Sequence, residues 1–159
     1  MIPPGDDVDR IMAVMATAFD PAYGEAWTRS QVESALLMGN THYLLMSPDG
    51  HAPQDGQIAA GFALLHTALD EEELLLFAIA PAWRRRGLGK SLLNSVISQA
   101  MAAEKSRIFL EMRRGNEAER LYLAAGFAPI GLRPKYYRTP NGERIDAVTF
   151  ACALVAPIS

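Results

Sequence analysis

From Asp6 to Phe19 the apolar residues Val8, Ile11, Met12, Met15 and Phe19 recur at three-to-four spacing, the mark of one helix face. Asp6 or Asp7 can cap its start. Asp20-Pro21 ends the pattern, because a residue before proline is pushed out of the helical region. A second, short helix is predicted after Trp27, with Thr28 or Ser30 as cap and Val32, Ala35 and Leu36 on one face. His42 to Met46 predicts a strand, Ser47 to Gly56 a loop, and Ile58 to His66 a second strand paired with the first. Leu74-Leu75-Leu76-Phe77-Ala78-Ile79 is apolar without alternation, as in a strand covered on both faces, and Pro81 stops it. From Gly87 to Ala103 the period becomes helical again, with Leu88, Leu92, Leu93, Val96, Ile97 and Ala100 on one side. Ser106 to Met112 is a strand with Ile108, Leu110 and Met112 facing one way, and Phe109 and Glu111 the other. Residues 116–125 predict a short helix closed by Gly126. Two strands, 127–137 and 144–154, follow around the turn Thr139-Pro140-Asn141-Gly142, with Pro129 at a bulge or edge.

The order is ααββ, βαβ, αββ. It predicts an α/β fold with a mixed, mostly antiparallel sheet, helices on both faces and a central βαβ crossover that is right-handed and parallel. No repeat or linker interrupts it, so residues 1–159 are read as one domain. Half the residues are hydrophobic, enough for a core and too many for a disordered chain. Fifteen basic and eighteen acidic residues give a net charge of -3, which argues against a broadly basic nucleic-acid binder. The single Cys152 cannot form an internal disulfide or a Cys-based metal site, and reads as a small buried residue. His42, His51 and His66 lack metal-ligand spacing, so no metal is expected. No run of about 18 apolar residues is present, and Met1 to Asp7 lacks the pattern of a signal peptide. These features predict a cytoplasmic protein away from the membrane.

The junction Pro81-Ala82-Trp83-Arg84-Arg85-Arg86-Gly87-Leu88-Gly89-Lys90-Ser91 joins the buried strand to the long helix. Glycines admit a ligand close to the backbone, the first helical N–H groups have no partner, and the dipole and arginines add positive charge. That makes an anion site suited to phosphate or pyrophosphate. A P-loop requires Gly at position 84, where Arg stands; a dinucleotide fingerprint requires Gly or Ala at position 92, where Leu stands. What remains is Arg-Arg-x-Gly-x-Gly, with a plain basic helix cap as the alternative. Glu111 reads as a strand carboxylate, paired with Arg113, or as a general base. Tyr122 is a proton donor or a core aromatic. Tyr136 and Tyr137 are groove residues or a packing pair, and only one of them can face a given side. Trp27 lines the same groove or staples the second helix.

The Arg-Arg-x-Gly-x-Gly segment resembles the pyrophosphate loop of the GCN5-related N-acetyltransferase (GNAT) family. Further likenesses run in order along the chain. Trp27-Thr28 resembles the Trp-Ser of an early Phe-Pro-Trp-Ser motif, and Leu110-Glu111-Met112-Arg113 resembles Leu-Glu-Val-Arg. Leu121 to Phe127 resembles Leu-Tyr-x-x-x-Gly-Phe, and Tyr136-Tyr137 with Asn141-Gly142-Glu143 and Asp146-Ala147 resembles the ending of the group that acetylates the N-terminal alanine of ribosomal protein S18. The resemblance implies acetyl-CoA as cofactor and a protein N-terminus, that of S18, as acceptor. A small-amine or lysine acetyltransferase and a non-catalytic acyl-CoA-binding module are the alternatives.

It further implies that the backbone of Phe77, Ala78 and Ile79 pairs with the pantetheine arm, while Arg84, Arg85, Arg86, Gly87, Leu88, Gly89 and Lys90 hold the pyrophosphate. Glu111 is then the general base, Tyr122 the general acid, and Trp27, Tyr136 and Tyr137 the acceptor groove. Asn116 is the residue nearest the family's CoA-contacting Asn, offset because the chain is one residue short between Glu111 and Tyr122.

Overall fold

A computed structural model describes residues 5–154, with the backbone alone for residues 5 and 6. The leader reading of residues 1–4 and a cap by the Asp6 side chain lie outside what is described. The elements are α1 (Gly5–Ala18), α2 (Arg29–Leu37), β1 (Thr41–Met46), β2 (Gly61–Ala68), β3 (Glu71–Ile79), α3 (Leu88–Ala102), β4 (Arg107–Arg113), α4 (Glu119–Ala124), β5 (Ala128–Arg138) and β6 (Arg144–Ala153). Single 3-10 turns at Pro21–Tyr23 and Pro81–Trp83 precede α2 and α3.

Six strands form one sheet in the order β1-β2-β3-β4-β6-β5. Every neighbouring pair is antiparallel except β3 and β4, as the βαβ order predicted. One face is covered by α3 and α4, whose Leu92, Leu93, Val96 and Tyr122 pack with Leu65, Ile108, Leu110 and Phe150. The other is covered by α1 and α2, whose Val8, Ile11, Val14, Val32 and Leu36 pack with Phe62, Leu64 and Ala78. Residues of both apolar stripes approach zero exposure, and each such side chain contributes about 1.5–3 kcal/mol relative to exposure.

Several boundaries differ from the sequence reading for local reasons. Thr28, not Ser30, caps α2, accepting from the N–H of Gln31, whose side chain returns a bond to the Thr28 N–H. Asp7 lies inside α1, where its carboxylate accepts from Tyr43 and Arg10. β2 begins at Gly61 rather than Ile58, which is exposed. The helix predicted from residue 116 starts at Glu119, because Asn116 Oδ1 accepts from the Ala118 N–H and folds the segment into a turn first. Its end is as predicted. Gly126 has φ +101°, its N–H bonds to Leu123 O, and the Phe127 N–H bonds to Tyr122 O, a Schellman closure.

Candidate active site

β3 and β4 pair only from Glu71 to Glu73 against Arg107 to Phe109. Beyond that point they separate. The β2–β3 register explains part of the divergence: Leu65 faces Leu74 and Leu64 faces Leu76, leaving Leu75 as an extra, bulged residue that bends β3. Across the opening the rings of Phe77 and Tyr122 meet edge to face, 6.0 Å between centres. The gap holds a cavity of about 350 Å³ whose walls include Trp27, Phe77, Glu111, Asn116, Tyr122 and Tyr137. Two larger hollows, about 480 and 640 Å³, lie where α3 packs beside β1 and contain none of the predicted site residues, and a third of about 370 Å³ along α2 is lined by Trp27.

The free edge of β3 can be read from its ladder. The Ala80 N–H bonds to Ala60 O on the β2 side. By strand alternation Ala78 also turns its backbone to β2, while Phe77 and Ile79 turn theirs to the gap. The Ala78 side chain is buried under α1 and α2, so among the three strand residues Phe77 and Ile79 are the ones that present backbone groups to the gap.

At the end of β3 the chain enters the arginine loop. Arg85 and Gly87 both adopt left-handed backbone conformations (φ +62° and +79°), which gather successive N–H groups on the inner side of a turn. Among the described residues no backbone N–H from Arg85 to Lys90 has a protein partner; the first helical bond is Ser91 N–H to Gly87 O. Those donors sit at the positive end of a helix of 15 residues. The three arginines do different things. Arg84 is tied to carbonyls, through Nε to Ile79 O at 2.9 Å and Nη2 to Ala18 O at 2.8 Å. Arg86 stacks over Trp83 at 5.1 Å. Arg85 and Lys90 make no hydrogen bond or ion pair to the described residues and are exposed. Leu88 is buried in the core, so its contribution to the loop is its N–H, and Gly89 lies against Leu121 and Ile79 at 3.5 and 3.6 Å from a notional Cβ.

Glu111 points from β4 to the face opposite α3. Its partner is Arg133 on β5, at 3.2 Å, and not Arg113. Thr149 Oγ1 donates to the same carboxylate oxygen at 3.5 Å. Tyr137 is the member of its pair that faces the cavity, its hydroxyl donating to Glu111 O at 3.4 Å. Burial, and then the charges of Glu111 and Glu25, push its phenol up to about 12. Tyr136 is half exposed outside the cavity, against Tyr137 and Arg133. Tyr122 is at once a core residue and a cavity residue. Its ring packs on Phe77 and Phe127, while its hydroxyl bonds to none of the described residues. Because no fully buried side-chain oxygen lacks a partner among those residues, that hydroxyl opens to the cavity. Burial, with a smaller contribution from Glu25, raises its pKa well above the ordinary phenol value and keeps it protonated.

Sequence reasoning missed two carboxylates. Glu25, in the loop before α2, lines the cavity and pairs with Arg113 at 3.3 Å. Glu73 lies close enough to Glu111 and His66 to feel both charges; its pKa is raised, mainly by burial, and then lowered by His66 and raised by Glu111. Neither residue sits in a motif. The only cue to Glu25 is its place two residues before Trp27.

Comparison with known proteins agrees with this geometry. The acetyltransferase (GNAT) family model matches residues 10–127. A ribosomal protein bS18-alanine N-acetyltransferase of Haemophilus influenzae is 40% identical over 94 residues, 59% of this chain and 64% of that protein. The match thus spans just under two thirds of that relative. One of Haemophilus ducreyi is 40% identical over 105 residues, 65% of this chain and 71% of that protein. The crystal structure of the ribosomal-protein-S18-alanine N-acetyltransferase from Escherichia coli superimposes with a TM-score of 0.79 at 25% identity, covering 100% of this chain and 95% of that one.

Proposed function

The chain belongs to the acetyltransferase (GNAT) family, and from that premise we propose that it transfers the acetyl group of acetyl-CoA to a protein N-terminal amine, the N-terminal alanine of ribosomal protein bS18. The observation that carries the reading is the continuity of three features. These are the partnerless N–H groups from Arg85 to Lys90, the free β3 edge at Phe77 and Ile79, and the cavity where Glu111 and Tyr122 meet. A ligand with a pyrophosphate at one end, amides along its middle and a reactive thioester at the other fits that sequence of groups. Acetyl-CoA has that chemistry, and when bound it supplies the acetyl group as a thioester.

The residues then take distinct parts. N–H groups of Arg85 to Lys90, with the unengaged side chains of Arg85 and Lys90, hold the pyrophosphate. Arg84 holds the end of β3 to α1, which positions the loop. The gap-facing N–H groups of Phe77 and Ile79 donate to the pantetheine arm or to the thioester carbonyl oxygen, where negative charge develops. Glu111 accepts a proton from the acceptor ammonium, directly or through water, so that the neutral amine can attack. Tyr122 hydrogen-bonds the departing sulfur and delivers its proton; the second proton lost by the amine nitrogen restores the balance. An α-amine loses its proton near pH 7.7–8.0 and a lysine near 10.4, so a carboxylate base needs less driving force for an N-terminus. Trp27 and Tyr137 wall the acceptor side, and the net charge of -3 suits a basic protein partner.

The test is the intact mass of bS18 after incubation with acetyl-CoA, with the modified residue located by fragmentation. One acetyl group on the N-terminal alanine is expected. Acetylation of lysines or added small amines alone, or CoA binding without turnover, would replace this reading with the corresponding alternative.

A further inference from the structure

Glu25 has no part in the reaction above, yet its carboxylate is built into the cavity. It follows the 3-10 turn at Pro21–Tyr23, which Asp20 caps through the Ala22 N–H. Oε1 accepts from Arg113 Nε at 3.3 Å, both side chains being largely buried. The Arg113 guanidinium in turn lies over the Tyr23 ring, 3.6 Å from its centre. Oε2 accepts no hydrogen bond from the described residues. No fully buried side-chain oxygen among them is left unpaired, so this second oxygen stays accessible on a residue that lines the cavity.

Glu25 shares the cavity wall with Glu111, Tyr122 and Tyr137, and Arg113 holds its other oxygen. The charge of Glu25 adds to burial in holding both tyrosine hydroxyls protonated. Glu25 gives the cavity a second carboxylate beside Glu111, and among the described residues none that line it is a cation. Arg113 is held by Glu25 and Tyr23, and Arg133 pairs with Glu111 from β5.

We propose that Glu25 anchors the acceptor: its free Oε2 receives a hydrogen bond from the incoming N-terminal ammonium and selects charged amine termini, with Arg113 as the positioning residue. The proposal rests on the N-terminal acetyltransferase reading and assigns it a recognition element. Glu25 fixes where the ammonium sits before Glu111 takes its proton.

The test compares a peptide of the bS18 N-terminus with its des-amino counterpart, which lacks only the terminal nitrogen. Both bind to the CoA-loaded full-length protein and are followed by calorimetry. Wild type is expected to prefer the amine peptide about tenfold or more, the range of a hydrogen bond between charged groups. Glu25→Gln is expected to reduce that preference to about threefold or less and to raise the acceptor KM, with acetyl-CoA affinity unchanged. A preference that persists undiminished in Glu25→Gln overturns the anchor. So does the absence of any preference in wild type, a result that needs no variant to fold. Failure of the broader reading shows separately: wild type then prefers the amine peptide yet leaves it unacetylated.

Discussion

Replacing Tyr122 by Phe removes one oxygen from the gap and nothing else. The ring contacts with Phe77 and Phe127, at 6.0 and 5.6 Å, are preserved. The hydroxyl bonds to none of the described residues, so its loss strands no buried donor or acceptor. The expected stability change is within about 1 kcal/mol, because the large penalty of an orphaned partner does not arise. That is a Tm shift within about 2–4 °C for a chain of this size. Turnover should respond very differently. General acid catalysis contributes about 10²–10⁴-fold, so kcat should fall by that factor, corresponding to about 3–5 kcal/mol in the barrier. Acetyl-CoA affinity, set by the loop and the β3 edge, should stay within about twofold, since Tyr122 offers the cofactor's resting state no required bond. Thiol release measured against bS18 peptide gives kcat, and calorimetry gives the acetyl-CoA Kd. A kcat within twofold of wild type, with the enzyme acetylating normally, would remove Tyr122 as the proton donor. A large fall in Tm would show instead that the hydroxyl is structural.

Gly89→Glu places a carboxylate at the positive end of α3, where two like charges about 4 Å apart cost about 4 kcal/mol at a surface dielectric; acetyl-CoA binding should weaken at least a hundredfold, and unchanged binding by calorimetry would refute the loop. Gly89→Ala is the control: its added Cβ makes ordinary contacts with Leu121 and Ile79, so affinity should hold within about threefold. Glu111→Gln should lower kcat by about 10²-fold or more, and an unchanged kcat would mean another group is the base. Gly126→Ala should cost about 1–2 kcal/mol, because alanine must adopt φ +101° to close α4, and a urea midpoint equal to wild type would contradict the strain. Tyr137 ionises near 10 when unfolded and is pushed up to about 12 when folded, so the folded state holds its proton longer. The urea midpoint should therefore be independent of this group below pH about 10 and fall as pH rises towards 12, a fall that Tyr137→Phe should lessen.

Elements governed by local pattern were legible in the sequence. The α3 stripe, the β4 alternation and the Gly126 closure all follow from residues a few positions apart, and each is present. The site was legible only where it coincides with a motif. The arginine loop stood out as charge and glycine between a strand and a helix, but its three arginines read as equals. Only the fold shows Arg84 spent on two carbonyls and Arg86 on Trp83. The opening between β3 and β4 could not be read, because it depends on a bulge at Leu75 set by register against β2 and on a ring from α4. Along the strand, Arg113 is the cation that proximity offers Glu111 as a partner. Instead β5 supplies Arg133, and Arg113 crosses 88 positions to Glu25. Pairings of that range leave no trace in local periodicity, which is why Glu25 went unnoticed while Trp27, two residues on, did not.

A structure of the protein bound to a conjugate of CoA and the bS18 N-terminal peptide tests the central claim most directly. The account predicts the pyrophosphate on the N–H groups of Arg85 to Lys90, the pantetheine arm along Phe77 and Ile79, and the peptide nitrogen in the cavity among Glu25, Glu111 and Tyr122. A conjugate whose pyrophosphate lies away from that loop, or whose peptide leaves the β3–β4 gap by a path that avoids those three side chains, would contradict it.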